Sequence, residues 1–412
     1  MRHSLVGTLS LIGPGVAVAA TGIGAGDVVA AAVSGAQYGA AVLWAALVGA
    51  LVKFALNEGI ARWQLATGTT LLEGWGRHLH RFVLIGFAVY LVLWTVVVAG
   101  ALIAACGLAA HAIAPQLSVA AWGILHSLAA LGLVYVGQYT LFERLMKGFI
   151  ALMFATVVTC AVLVRPDWGA FAQGLFVPSV PIGSGPFLLG VIGGVGGSVT
   201  LLSYSYWIRE RGWTAPEDHA KARFDLGAAY LLTAVFGVAI IITAAGVDVD
   251  AVTGNEMALA IADQIGSVVG PTGKWIFLVG FWGAVSTSML GVWQGVPYIF
   301  ADFMRVLRGT DAADIDPDAT IDTTAPYYRG YLLFTALVPM TLLAVDRPVW
   351  VIIAYSVAGA FFMPFLAGTL LYLNTRRRWV AALRNGGIMN GLLVAALLLF
   401  GYLCVNEIAT RL

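Results

Sequence analysis

Apolar residues fall along this chain in long blocks separated by short polar stretches. Eleven blocks are long enough to cross a hydrocarbon core of about 30 Å. They cover residues 8–37, 40–57, 82–110, 119–137, 147–164, 186–207, 226–246, 273–303, 329–345, 348–373 and 388–406. The pattern predicts an all-α polytopic membrane protein with eleven transmembrane helices. Two polar stretches are longer than a simple turn. One, "RPDWGAFAQGLFVPSVPIGSGP" at 165–186, is punctuated by proline; the other, "RGTDAADIDPDATIDTTAP" at 308–326, is rich in Asp, Thr and Pro. Neither is large enough for a separate domain.

Two blocks are interrupted from within. "AATGIGAGDVVAAAV" (19–33) carries Gly22, Gly24 and Gly26 and then Asp27, while "GPFLLGVIGGVGGSVTLLSYSYW" (185–207) holds a second glycine cluster. Glycine weakens a helix interior, and a carboxylate at bilayer depth costs at least a few kcal/mol. The interruptions correspond: a constant offset of 172 relates Gly13 to Gly185, Gly22 to Gly194 and Gly24 to Gly196. Five crossings separate them, so the two broken helices run in opposite directions. Such a pair is the sequence pointer to a secondary transporter built from inverted repeats. The expected organisation is a 5+5 inverted repeat, with helices 1–5 in residues 1–165, helices 6–10 in 185–375, and a peripheral helix 11 in 386–412. Unwound backbone at each break frees carbonyls and amides, which is tolerated at that depth only when it is buried or lines a wet cavity. The competing reading of the glycines is close helix packing, which suits "GAAVLWAALVGALVKF" in the second block.

Composition sharpens the class. The chain is 60% hydrophobic and 10% charged, against about a quarter charged in soluble domains. A net charge of +1 gives nucleic acid nothing to bind. Cys106, Cys160 and Cys404 lie in apolar runs without metal or disulfide spacing and read as small core residues. No nucleophile elbow, phosphate-binding loop or zinc spacing is present, so the expectation is no enzyme and no cofactor. Lysines and arginines in the loops divide seventeen to four in favour of the side that holds the N-terminus, with Lys53 left inside a helix. The positive-inside rule then places the N-terminus in the cytoplasm, the C-terminus outside, and the protein in the cell (inner) membrane. The external loop 247–271 is acidic and reads as a solvated loop.

Among polar groups at membrane depth, Asp27 stands first, as a cation ligand or a proton carrier. Its bland alternative is a counter-ion for a neighbouring helix. His126, mid-span in the fourth block, suits either a proton relay or a neutral histidine bonded to a backbone carbonyl. Lys53 and Glu58 lie near the cytoplasmic end of the second block. Lys53 is expected to snorkel, and Glu58 to meet water or pair with Arg62 at i+4, a gate-latching ion pair being the sharper alternative. Hydroxyls in "STS" (286–288) and Gln294 line the eighth block and are expected to bond backbone.

The first half resembles the natural-resistance-associated macrophage protein family, Nramp, which are divalent-metal transporters of the LeuT fold. The matching run is 13–74, with its opening Gly-Pro-Gly, "GAQYG" (35–39) and "ARWQLATG" (61–68); "MPF" (363–365) is similar to the family's tenth helix. The resemblance implies a LeuT-like fold, transport by alternating access, and a bundle of helices 1, 2, 6 and 7 that rocks against the rest. The departures fall on the family's ligands. Where the family carries Asp-Pro-Gly-Asn at the first break, this chain reads "GAGD", with Gly24 at the aspartate and Asp27 at the asparagine position. Where the family carries Met-Pro-His in the sixth helix, the chain has Gly197, Ser198 and Val199. The soft thioether that favours transition metals is gone, which leaves a hard oxygen site. Substrate contacts are therefore expected from Asp27 as the metal ligand, from backbone near Gly22, Gly24, Gly194 and Gly197, and from Thr200, which aligns beside the lost motif. The expected cargo is a small hard cation such as Mg²⁺ or Mn²⁺, with H⁺ as coupling ion and Asp27 and His126 as relay candidates. The rival readings are a LeuT-fold carrier of a small organic solute and a non-transporting membrane sensor or scaffold.

Overall fold

The structure is a computed structural model that describes residues 13–136, 139–194, 198–245, 256–308, 321–344 and 348–411, with no strand among them. The side chain of Asp27 lies outside what is described, as does Gly197 altogether. Where they are described, the apolar blocks fall on helix. The first gives two half-helices, α1 (Pro14–Gly22) and α2 (Ala25–Tyr38), and the second gives α3 (Leu43–Thr67). A short helix α4 (Leu71–His78) leads into α5 (Arg81–Ile113), α6 (Val119–Val136) and α7 (Tyr139–Leu163). The connection that follows holds α8 (Trp168–Phe176). The sixth block splits into α9 (Gly185–Gly194), a one-turn 3-10 segment (Val199–Leu202) and α10 (Ser203–Glu210). Then come α11 (His219–Ala244), α12 (Glu256–Val269), α13 (Pro271–Leu307), α14 (Pro326–Leu337), α15 (Pro348–Asn374), α16 (Arg377–Val380) and α17 (Gly387–Arg411). Six helical stretches are each long and apolar enough to cross a membrane, and the bent pair Arg377–Leu383 with Gly387–Tyr402 adds a seventh. The half-helices on either side of the two breaks are too short to cross alone.

The breaks have local causes. Pro14 opens α1 with a φ suited to a first turn. The helix ends at Ile23, whose φ of −93° and ψ of 77° leave the helical region. The Ile23 N–H still reaches Ala19 O at 3.0 Å, and the next ladder starts only with Val28 N–H to Gly24 O at 3.1 Å. The carbonyls of Ala20 and Thr21 therefore lose their in-helix donors.

Helix α3 runs ten residues further than its apolar pattern, which stops at 57. Polar side chains there are satisfied inside the protein, so the helix continues until Gly68 closes it in the left-handed conformation, φ 71°. This corrects the reading of Lys53: it lies mid-helix and fully buried, with no exposed surface, and does not snorkel.

Packing sets the breaks side by side. Helix α9 packs against α2 and α3, α11 against α1, α2 and α3, and α13 against α1, α5 and α7. Ser34 Oγ donates to Phe187 O at 3.4 Å, and a Cβ on Gly190 would lie 3.4 Å from the Cβ of Ala30. Sequence numbers thus fall along α2 as they rise along α9. The two half-helices run antiparallel, as inverted halves require.

Candidate functional site at the two helix breaks

Helix α13 closes over the first break. Ser288 Oγ donates to Thr21 O at 2.7 Å, and Thr287 Oγ1 approaches Ala20 O at 3.3 Å. These are the two carbonyls that the break set free. Gly291 makes the approach possible, because a Cβ there would stand 1.8 Å from Thr21 Oγ1. Of the "STS" hydroxyls, Thr287 also donates to Ala284 O of its own helix at 2.8 Å, and Ser288 crosses to α1, which fixes the geometry of the break.

The predicted site residues distribute around this frame. Gly22 ends α1, Gly24 precedes α2, and Asp27 sits in the first turn of α2. Gly194 ends α9. Thr200 is buried in the 3-10 segment beyond the second break. Beside it, Ser198 Oγ accepts from Trp94 Nε1 at 3.0 Å, which ties the second break to α5. Among the described residues no three His, Cys, Asp or Glu side chains converge where a metal could be held.

His126 stands apart from the breaks in its bonding. Its Nδ1 lies 2.7 Å from Trp122 O, and Trp282 Nε1 donates to its Nε2 at 2.9 Å. Indole can only donate, so Nε2 carries the lone pair and Nδ1 the hydrogen. Both nitrogens are occupied, one within α6 and one by α13.

Buried carboxylates lie on the side of the basic loops; sequence reasoning passed over Asp225, while the pairing of Glu58 with Arg62 at i+4 is as expected. Asp225, fully buried on α11, accepts the N–H groups of Gly13 at 2.9 Å and Gly15 at 2.6 Å, and the Tyr204 hydroxyl at 3.0 Å. Glu58, also fully buried, pairs with Arg62 and lies 2.9 Å from His219 Nε2. Arg62 reaches on to Leu383 O at 2.6 Å. Asn57 Nδ2 donates to Tyr230 OH at 3.1 Å and Gln64 Nε2 to Ser205 O at 2.8 Å. Together these bonds knit spans 1, 2, 6 and 7 into one body. A second set joins that body to α13: Tyr206 OH to Asp302 at 2.7 Å, Tyr298 OH to Glu210 at 2.9 Å, and Trp207 Nε1 to Gln294.

The family model for natural resistance-associated macrophage protein-like chains (Nramp) matches residues 15–410. This chain belongs to the Nramp family. It is a multi-pass membrane protein with the LeuT-like fold. The Eremococcus coleocola manganese transporter, solved with an aromatic bis-isothiourea substituted compound, shares 16% identity at a TM-score of 0.75, covering 98% of this chain and 87% of that one. MhsT in complex with L-phenylalanine follows at TM-score 0.57 and 16% identity, covering 94% and 98%. Mhp1, a nucleobase-cation-symport-1 family transporter with bromovinylhydantoin bound, gives 0.55 at 15% identity, covering 97% and 93%. No curated protein sequence matches significantly.

Within the Nramp frame, the geometry explains one departure of this chain. A Cβ on Gly24 would meet Ser288 Oγ at 2.8 Å and Leu102 Cδ2 at 3.7 Å. A serine from α13 fills the space beside Gly24, and an acidic side chain there would have to push it aside.

Proposed function

We propose that this Nramp-family chain is a secondary active transporter that moves a hard divalent cation, Mg²⁺ or Mn²⁺, across the cell membrane by alternating access. The N-terminus is cytoplasmic and the C-terminus external on this reading. Residues 1–165 and 185–375 form the inverted halves, and 386–412 the peripheral helix. Cargo sits between the breaks on Asp27, backbone near Gly22, Gly24, Gly194 and Gly197, and the Thr200 hydroxyl. Protons drive it, with Asp27 as the carrier. His126 is left out of the relay, since both its nitrogens are already bonded.

The observation that carries this reading is the pair of antiparallel half-helices, α2 and α9, that bring two interruptions to one depth in a buried core. The carbonyl and hydroxyl oxygens expected at the breaks suit hard cations. A larger organic solute is less well served, because Ser288 and Gly291 close the first break tightly against α13.

The test is uptake of Mn²⁺, Mg²⁺ and Ca²⁺ into proteoliposomes with and without a pH gradient, with Asp27→Asn alongside. Uptake that vanishes in Asp27→Asn supports the reading. No uptake of any ion by folded wild-type protein sinks it.

A further inference from the structure

Helices α5 and α15 pack together and leave an aromatic groove between them, a cavity of about 300 Å³. Val83, Phe87, Tyr90, Phe361, Phe362 and Phe365 line it. Gly86 stands in its wall, and a Cβ there would meet nothing within 4 Å. On the same helix Phe82, Val89 and Leu93 are exposed, and in a membrane protein such a face meets acyl chains.

The rings orient the groove. Tyr90 stacks with Phe362 at 6.0 Å between centroids, and Phe87 and Phe365 meet on Trp75 at 5.2 and 4.8 Å. Residue numbers fall along α5 as they rise along α15, so the start of α5 and the end of α15 share one end of the groove. That end is basic. His78 stacks on Trp379, with centroids 4.0 Å apart, and so brings Arg81 at the start of α5 to the run Arg376–Arg378. Arg376 lies over the Tyr372 ring at 4.4 Å and Arg378 over Trp379 at 4.6 Å. The segment Arg377–Leu383 is bent by 119° from α17, as suits a segment lying at a membrane surface. No acidic residue occurs in 74–142 or 347–406, and among the described residues none of these arginines is ion-paired.

We propose that this groove is a binding site for an anionic phospholipid, with an acyl chain along the aromatic rings and the phosphate on Arg81, Arg376 and Arg378. From Val83 to Tyr90 the α5 wall runs about 10 Å, a path that an extended chain can follow. A guanidinium stacked on a ring keeps its edge N–H groups for phosphate oxygens, which it grips with two bonds. Basic clusters beside a membrane helix attract anionic headgroups, and here an apolar slot continues from the cluster. A neutral lipid would fill the slot and leave the arginines without an anion. A second copy docking through this face would set arginines against arginines, since a two-fold interface repeats the same patch.

The experiment is native mass spectrometry of the full chain, delipidated in detergent and titrated with phosphatidylglycerol or phosphatidylcholine of matched chains. Wild type is expected to bind phosphatidylglycerol at least fivefold more tightly than phosphatidylcholine. Arg376→Gln with Arg378→Gln is expected to lose that preference. Arg144→Gln with Arg329→Gln, which removes two basic charges on α7 and α14, is expected to keep it. Gly86→Phe fills the slot and is expected to weaken both lipids at least fivefold at unchanged Tm; should it fail to fold, Gly86→Val carries the same comparison. Equal affinity of wild type for the two lipids, or equal loss in the two arginine pairs, overturns the site. Phosphatidylglycerol binding that survives the filled slot overturns the groove as its seat. A wild-type dimer that the filled slot converts to monomer gives the groove to a second copy and overturns the lipid.

Discussion

The carboxylate of Asp225 accepts the backbone N–H of Gly15 at 2.6 Å across 210 residues of sequence. It satisfies donors at the start of α1 that no helix can satisfy itself, and it sets a negative charge at the positive end of the helix dipole. Gly15 has no room for a side chain, since a Cβ would lie 2.8 Å from that same carboxylate. Tyr204 shares the acceptor, so one side chain of α11 fixes the entry of α1 and the start of α10.

Asp225→Ala is therefore expected to leave two backbone donors unpaired in a buried place and to take an acceptor from Tyr204, at about 3–5 kcal/mol. Thermal unfolding in detergent should show a large fall in Tm. Tyr204→Phe removes one of the three bonds and should cost only about 1 kcal/mol. Equal Tm for Asp225→Ala and wild type would mean that the start of α1 is held by other contacts.

The second buried cluster permits a sharper comparison. Glu58 is surrounded by Arg62, by His219 Nε2 at 2.9 Å and by Arg223 Nε at 3.8 Å. Glu58→Gln takes the charge away from a guanidinium that is itself buried, and about 3–5 kcal/mol is expected to be lost. Replacing both Glu58 and Arg62 by Met should recover much of that, because a buried pair exchanged for apolar groups is often neutral. Additive losses in the double variant would show that the two side chains act independently.

How much of this was legible beforehand follows from what kind of signal each part leaves. The helices and both breaks were legible because long apolar runs and glycine clusters are properties of single stretches. The ends of α3 were not. Asn57, Glu58 and Arg62 look like the edge of a membrane, and only the partners Tyr230, His219 and Leu383, from distant parts of the chain, make them an interior. Lys53 was misplaced for the same reason, since its depth depends on where the helix ends. Asp225 sits one residue before the seventh apolar block and carries no local mark of its role. Its only available signal was a carboxylate so close to an apolar run. The closure of the first break by Ser288 was half legible: the hydroxyl cluster was noticed, but its distant acceptor was not.

A pH response is expected from the surface near α4. His78 stacks on Trp379 with ring centroids 4.0 Å apart. Partial burial, first, and then the charges of Arg77 and Arg378 hold its imidazole below the ordinary histidine range. The unfolded chain, with an ordinary value near 6.5, binds the proton at higher pH than the folded one. Stability from this group is therefore present above that value and is lost as pH falls through the window below it. His78→Phe keeps the stack and cannot charge. Its Tm should fall less than that of wild type between neutral and mildly acidic pH, and identical slopes would remove His78 from the response.

The contact between Gly24 and Ser288 predicts how the family's lost ligand can be restored. Gly24→Asp alone places a Cβ 2.8 Å from Ser288 Oγ. Overpacking of that kind costs about 1–3 kcal/mol, and here it also pushes Ser288 off the Thr21 carbonyl it caps. The single variant should lose both stability and uptake. Adding Ser288→Gly removes the clashing hydroxyl and its Cβ and makes room for the carboxylate. The double variant should regain Tm relative to Gly24→Asp. With two carboxylates near the first break, it should bind Mn²⁺ more tightly than wild type. The paired measurement is Tm in detergent and Mn²⁺ affinity by titration. A Gly24→Asp protein as stable and active as wild type would show that Ser288 yields freely, and that the aspartate was not lost for want of space.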